Sequence, residues 1–282
     1  MRKNIKVALE SLPGIISAER ISLGKDIEKT FHKKEHVVMA RSAARKLIAH
    51  KILYSSHHHA VVGFVVKPRE HGKKKLPVII WNRGGYGEHY AIQKKWLFYG
   101  TIAQFAKAGY LVLASQYSGN AGSEGVDEFG GNELEDILVF KKLVRECPFA
   151  DEKKIFMYGE SRGGMMTYLA LKKARFIRAA VSVAGISDVR EKIFKFPLSK
   201  KERRERSAVC FAEKFPTTTP LLLMHGTGDT SVPASQSLTL SEKLLRHKKP
   251  FELHVFRGDD HFLSHNKTEK VRLSLLWFSE NL

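Results

Sequence analysis

The sequence predicts an α/β protein: a doubly wound, mainly parallel sheet with helices on both faces. Two features predict it. From about residue 60, short apolar runs rich in β-branched residues alternate with longer amphipathic segments, the sequence form of strands alternating with helices. Several of those runs are apolar at every position, as in strands covered on both faces. The size fits, since 282 residues, 43% hydrophobic and with only 9 prolines, can bury a large core and lack the composition of a disordered chain. One main domain is therefore expected over residues 56–282, behind an N-terminal appendage over 1–55. The appendage reads as mostly helical or irregular, with helix-compatible stretches around 25–50.

Strands are expected at 61–66, 78–81, 110–115, 155–158, 179–183, 221–224 and 251–256. In the last of these Phe251, Leu253 and Val255 alternate with Glu252 and His254, which suits a strand near the sheet's edge. Helices are expected at about 90–107, 133–146, 162–174, 235–246 and 267–280. Asn132 followed by Glu135 resembles a capping box, and Ser235 or Ser237 after Pro233 marks another helix start. A charged insertion at 188–218, containing Lys200-Lys201-Glu202-Arg203-Arg204-Glu205-Arg206, interrupts the rhythm and reads as a small cap. His57-His58-His59 is too short to define a metal site and belongs in a loop or at a strand edge.

The formal net charge of +19 would suit an acidic partner if it were clustered. The basic residues are instead scattered in short groups such as Lys33-Lys34, Lys73-Lys74-Lys75 and Lys248-Lys249. A solvated cationic surface is the preferred reading, and nucleic acid is not expected as a partner. Cys147 and Cys210 are far apart and in no ligand pattern, so neither a disulfide framework nor a structural zinc is suggested. Lys6 and Glu10 break the apolar run that a signal peptide would need. No uncharged apolar stretch approaches the roughly 18–20 residues that span a bilayer. A soluble, cytoplasmic protein is expected, and no motif calls for a cofactor or metal.

The segment Lys154-Ile155-Phe156-Met157-Tyr158-Gly159-Glu160-Ser161-Arg162-Gly163-Gly164-Met165-Met166 reads as a buried strand, a Gly-x-Ser-x-Gly turn and an apolar helix. A serine hydroxyl is a weak nucleophile and must be held exposed beside a base. A sharp strand-to-helix turn does so only where the neighbours two residues away are small, as Gly159 and Gly163 are. Ser161 is thus the candidate nucleophile. The helix after it aims backbone N–H groups at the site, so the Arg162 amide can stabilise an oxyanion.

The orienting acid and the base follow the nucleophile in chain order in this architecture. Strand 221–224 runs into His225-Gly226-Thr227-Gly228-Asp229, and strand 251–256 into Arg257-Gly258-Asp259-Asp260-His261. Asp229 is the candidate acid and His261 the candidate base, with His265 in reserve. Asp259 and Asp260 compete with Asp229 but adjoin His261 in sequence and are expected to point the wrong way. A second oxyanion donor is sought in Asn82-Arg83-Gly84-Gly85-Tyr86-Gly87, where paired glycines let amides approach a ligand closely.

Together these segments resemble the catalytic domain of the prolyl oligopeptidase family of serine peptidases, an α/β-hydrolase fold. The likeness is carried by residues 82–87, by Gln116-Tyr117-Ser118-Gly119-Asn120 with Gly122-Ser123-Glu124-Gly125-Val126-Asp127-Glu128-Phe129-Gly130-Gly131, by 159–164, by 225–233 and by 258–261. It covers about residues 60–282. It implies attack by Ser161 on an amide or ester carbonyl, protonation of the leaving group by His261 and hydrolysis of an acyl-enzyme by water. Family oligopeptidases carry a β-propeller before the hydrolase domain, and the 55 residues ahead of the main domain are too few to form one. Arg83 stands where several family peptidases offer a tyrosine hydroxyl to the oxyanion, which leaves a backbone amide of Arg83, Gly84 or Gly85 as the alternative. Short peptides or amino-acyl amides are the expected substrates. A carboxylesterase for small acyl esters is the rival within the enzyme class, and a basic binding protein on a hydrolase scaffold the rival outside it.

Overall fold

Strands this short satisfy their backbone groups only by pairing, so the sheet register decides where each loop emerges. The computed structural model describes residues 5–24, 28, 31, 33–191 and 196–282. Parts of the expected N-terminal appendage (1–4, 25–27, 29, 30 and 32) and of the cap insertion (192–195) lie outside the described residues. The chain forms two units, one comprising Met1–Trp81, Ala91–Val126 and Glu135–Lys154, the other Asn82–Tyr90, Asp127–Leu134 and Ile155–Leu282.

The first unit contains α1 (Ile5–Glu10), β1 (Ile15–Ile21), α2 (Lys34–Lys46), β2 (Leu47–Ser56), β3 (His59–Pro68), β4 (Leu76–Asn82, its last residue in the other unit), α3 (Thr101–Lys107), β5 (Leu111–Ser115), α4 (Glu135–Leu138) and α5 (Phe140–Glu146). Its strands run in the order β1-β2-β3-β5-β4, antiparallel up to β5 and parallel between β5 and β4. β2 and β3 form a hairpin whose two turn residues, His57 and His58, have φ of 42° and 70°. Two positive φ values match the right-handed twist of the flanking strands. His59 opens β3, so the histidine triplet lies at a turn and strand edge, as expected.

β1 and β2 fall where helix or irregular chain was expected. The helical pattern of α2 passes directly into β2 at Lys46-Leu47 with no Gly or Pro between them, so the sequence carries no mark of the change. The helix expected at 90–107 is broken as well: single turns at Glu88–Tyr90 and Lys94–Leu97 precede α3, with Gly100 as its N-cap.

The second unit continues β6 (Ala150–Glu160) from Ile155 and adds α6 (Arg162–Lys173), β7 (Ile177–Val183), α7 (Lys200–Arg206), β8 (Leu221–Gly226), α8 (Ser235–Arg246), β9 (Phe251–Phe256) and α9 (Lys267–Glu280). The strands run β6-β7-β8-β9, every pairing parallel. β8 is buried along its whole length, whereas β9 is half-exposed at the edge, as its alternation indicated. Helical crossovers between parallel strands bring all four C-terminal ends to one rim, where α/β folds place their sites.

Two expected caps are replaced. Asn132 lies in a 3₁₀ turn, Asn132–Leu134, and gives its backbone and side-chain N–H groups to Glu128, not to a box with Glu135. α8 is capped by Ala234 without a side-chain bond, because the Ser237 hydroxyl is turned to His225. A complete capping box occurs at Ser199 and Glu202, opening α7 within the charged insertion. Among the described residues no helix is long and apolar enough to cross a membrane.

Candidate active site

β6 ends at Glu160 and α6 begins at Arg162, so Ser161 alone makes the turn, with φ 57° and ψ −121°. L-residues rarely adopt this conformation, and it persists only where the surroundings enforce it. The Ser161 amide donates to Val183 O at 2.8 Å, and its carbonyl accepts from Gly164 N at 2.9 Å. The flanking glycines are obligatory: a Cβ on Gly159 would stand 2.0 Å from Gly163 O, and one on Gly163 would stand 2.0 Å from Asn82 O. The result is a half-buried serine raised at the head of a helix.

Asp229 follows β8 and His261 follows β9, and the structure brings their side chains together. His261 Nδ1 lies 2.7 Å from Asp229 Oδ2. A carboxylate can only accept here, so Nδ1 carries the proton and Nε2 is left as the basic nitrogen. Asp229 Oδ1 accepts from the amides of Ser231 and Val232, each at 2.9 Å. Burial opposes its charged form, but the bonds from His225, His261 and Val232 outweigh that and hold the carboxyl well below the usual carboxylate range.

His225, which the sequence reading did not single out, supports Asp229 from behind. Its Nε2 lies 2.8 Å from Val232 O and 3.2 Å from Asp229 Oδ2, and its Nδ1 lies 2.7 Å from Ser237 Oγ. The Val232 carbonyl cannot donate, so Nε2 carries a proton shared between two acceptors. Its place as the first residue of a His-Gly-Thr-Gly-Asp segment, still within a buried strand, is what could have marked it: the histidine has no solvent to face.

The other acids and the reserve base are used by the loop itself. Asp260 accepts from the Phe262 and Ser264 amides. Asp259 accepts from the amides of Asp260, His265 and Asn266 and pairs with the exposed His265 at 3.1 Å. Burial would raise the Asp259 carboxyl, but the bonds from Asn266, His265 and Asp260 hold it down to about 2. An unfolded aspartate titrates near 3.9. A depressed folded value stabilises the fold above about pH 4 and loses that contribution as pH falls from about 4 to 2. Asp259→Asn should therefore cost most stability at pH 6, with the gap to the unsubstituted protein closing toward pH 2 in urea unfolding. A gap independent of pH would refute the charge-dependent role.

The Asn82–Gly87 loop approaches the serine turn closely. A Cβ on Gly84 would stand 3.0 Å from Glu160 O and 3.3 Å from Ser161 Cβ, so only bare backbone fits beside the serine. Gly85 has φ 72° and packs under the Tyr90 ring. The buried Arg83 side chain turns into its own loop, donating to Gly84 O at 3.2 Å and lying 3.9 Å from Asp127. The Arg162 side chain, without a role in the sequence reading, is a buried tie: Nη1 reaches Asp127 Oδ2 at 2.7 Å and Gly85 O at 3.1 Å, and Nη2 reaches Glu133 Oε1 at 2.8 Å. Burial pushes the Glu133 carboxyl up, with Arg162 pulling against it. Tyr86, Phe129 and Phe196 stand together beside this tie, the last two stacked at 3.6 Å.

Asp229 and His261 are thus joined, and the Gly84 backbone abuts Ser161. Ser161 shares the rim with His261, but no hydrogen bond links the two side chains in this conformation.

The chain is similar to several known proteins. The chain is 27% identical over 257 residues to the uncharacterized peptidase YtmA of Bacillus subtilis, spanning 85% of this chain and 96% of YtmA. It is 28% identical over 216 residues to a probable dipeptidyl-aminopeptidase B of Ajellomyces dermatitidis, covering 70% of this chain and only 23% of that protein. The acylaminoacyl peptidase of Pyrococcus horikoshii superposes with a TM-score of 0.73 at 22% identity, over 89% of this chain and 44% of that one, which establishes the α/β-hydrolase fold. Residues 96–282 match the sequence profile of the prolyl oligopeptidase family, and the chain belongs to that family of serine-type peptidases.

Proposed function

We propose that residues 56–282 hydrolyse short peptides or amino-acyl amides through an acyl-enzyme on Ser161. The observation that carries this reading is the 2.7 Å Asp229–His261 pair, which fixes the histidine tautomer with Nε2 as the base. In the reaction, Ser161 Oγ attacks the carbonyl carbon while its proton passes to His261 Nε2. The amides of Arg162 and of the Arg83–Gly85 loop receive the oxyanion. His261 returns the proton to the leaving amine, and water repeats the sequence to free the acid. The Asp229 carboxylate, accepting from His261 Nδ1–H, stabilises the imidazolium between the two transfers.

Amide rather than ester substrates are favoured because the relatives are named as a peptidase, a dipeptidyl-aminopeptidase and an acylaminoacyl peptidase. The test is a panel of proline- and alanine-linked chromogenic amides beside small nitrophenyl esters. Amide turnover within about 100-fold of the ester rate is expected. Ester turnover with no amide cleaved would overturn the peptidase reading and leave a carboxylesterase.

A further inference from the structure

We propose that Lys270 is a positioning residue that clamps the loop bearing His261 onto the turn bearing Ser161. The proposal rests on the catalytic roles given above for those two side chains. Lys270 lies on α9 and is only 5% exposed, among the buried residues Val271, Ser274 and Phe278 of the same helix. Its ammonium donates to Phe262 O at 2.9 Å and to Glu160 Oε1 at 3.1 Å. Phe262 follows His261 and Glu160 precedes Ser161. One cation therefore spans the two segments, one residue away from each reacting side chain. Glu160 is held in turn by the hydroxyl of Tyr158, fully buried on β6.

A lysine in this position is costly to desolvate, and a helix packed on a sheet would ordinarily place an apolar side chain there. What it supplies is cross-linking that the loop's own bonds lack. Asp259 and Asp260 cap amides within 259–266 and tie that loop to itself. Asp229 fixes the ring from the β8 side, and Lys270 fixes the adjoining carbonyl from the β6 side. The clamp also governs charge. The groups around His261 are Asp229 with His225 behind it, Asp259, Asp260 and His265 on its own loop, and the Glu160–Lys270 pair. With the ammonium removed, the Glu160 carboxylate would stand uncompensated beside the site, favouring the imidazolium and opposing an oxyanion.

The full-length protein tests this through the rate at which a fluorophosphonate probe labels it, measured across pH. Lys270→Met is expected to slow labelling about 10- to 100-fold, the cost of a small misplacement of reacting groups. Its acid limb should move to higher pH. Glu160→Gln should move the limb the opposite way with a smaller change in rate, and Lys270→Arg should recover part of the lost rate. A Lys270→Met protein that labels at the normal rate with an unmoved limb overturns the clamp. If that variant does not fold, an unmoved limb in Glu160→Gln does so. Should the unsubstituted protein not label at all, the hydrolase reading fails and the clamp with it; labelling that is lost in Ser161→Ala yet indifferent to Lys270 and Glu160 sinks the clamp alone.

Discussion

Ser161→Ala is expected to lose all fluorophosphonate labelling and to hydrolyse amides about 10⁴-fold or more slowly, while unfolding within about 2–3 °C of the unsubstituted protein. The activity term is large because the oxygen removed is the one that would form the acyl bond, and what survives is only oxyanion stabilisation and binding. The stability term is small for a reason visible in the backbone. At φ 57° the strain comes from Cβ against the chain, and alanine keeps that Cβ. The bonds that hold the turn, Ser161 N to Val183 O and Gly164 N to Ser161 O, are main-chain bonds that the substitution leaves alone. Equal labelling of both proteins would remove Ser161 as nucleophile. A protein that lost labelling only by unfolding would show it as a shifted thermal midpoint.

Much of this geometry could be read from residues in sequence because local rules coincide with the tertiary ones. A buried run followed by Gly-x-Ser-x-Gly admits few turns, and β8 and β9 declared themselves by composition, so Asp229 and His261 could be placed at strand ends. The same logic fails where a residue's surroundings come from distant chain. Arg162, a charge at a helix start, reads locally as solvent-facing, yet its partners Asp127 and Glu133 arrive from a loop about 30 residues upstream. Lys270 is harder still: a lysine near a helix start belongs by default on an outer face, and the approach of Glu160 and the Phe262 carbonyl makes an inward one tolerable. β2 escaped notice because a helix runs into it with no turn residue between.

Arg162→Met should lower the unfolding free energy by about 3–5 kcal/mol in urea titration, the range for removing one member of a buried ion network. Arg162, Asp127 and Glu133 are almost entirely shielded from water, and with Arg83 they form a set of two cations and two anions. Methionine matches much of the volume but leaves two carboxylates facing one guanidinium. Glu133, already pushed upward by burial, would lose the cation that pulls against that shift, and Asp127 would keep its weaker approach to Arg83 and the Phe129 amide. Arg162→Lys should recover little of the loss, since one ammonium cannot grip both Asp127 oxygens while also reaching Glu133 and Gly85 O. Arg162→Met combined with Glu133→Gln should be less destabilised than Arg162→Met alone, because the surplus negative charge is gone. A cost below about 1 kcal/mol for Arg162→Met, or no relief in the double variant, would show that the network contributes packing and not charge balance. The same guanidinium holds Gly85 O, so activity lost in Arg162→Met at temperatures where it remains folded would reflect a loosened Asn82–Gly87 loop beside Ser161.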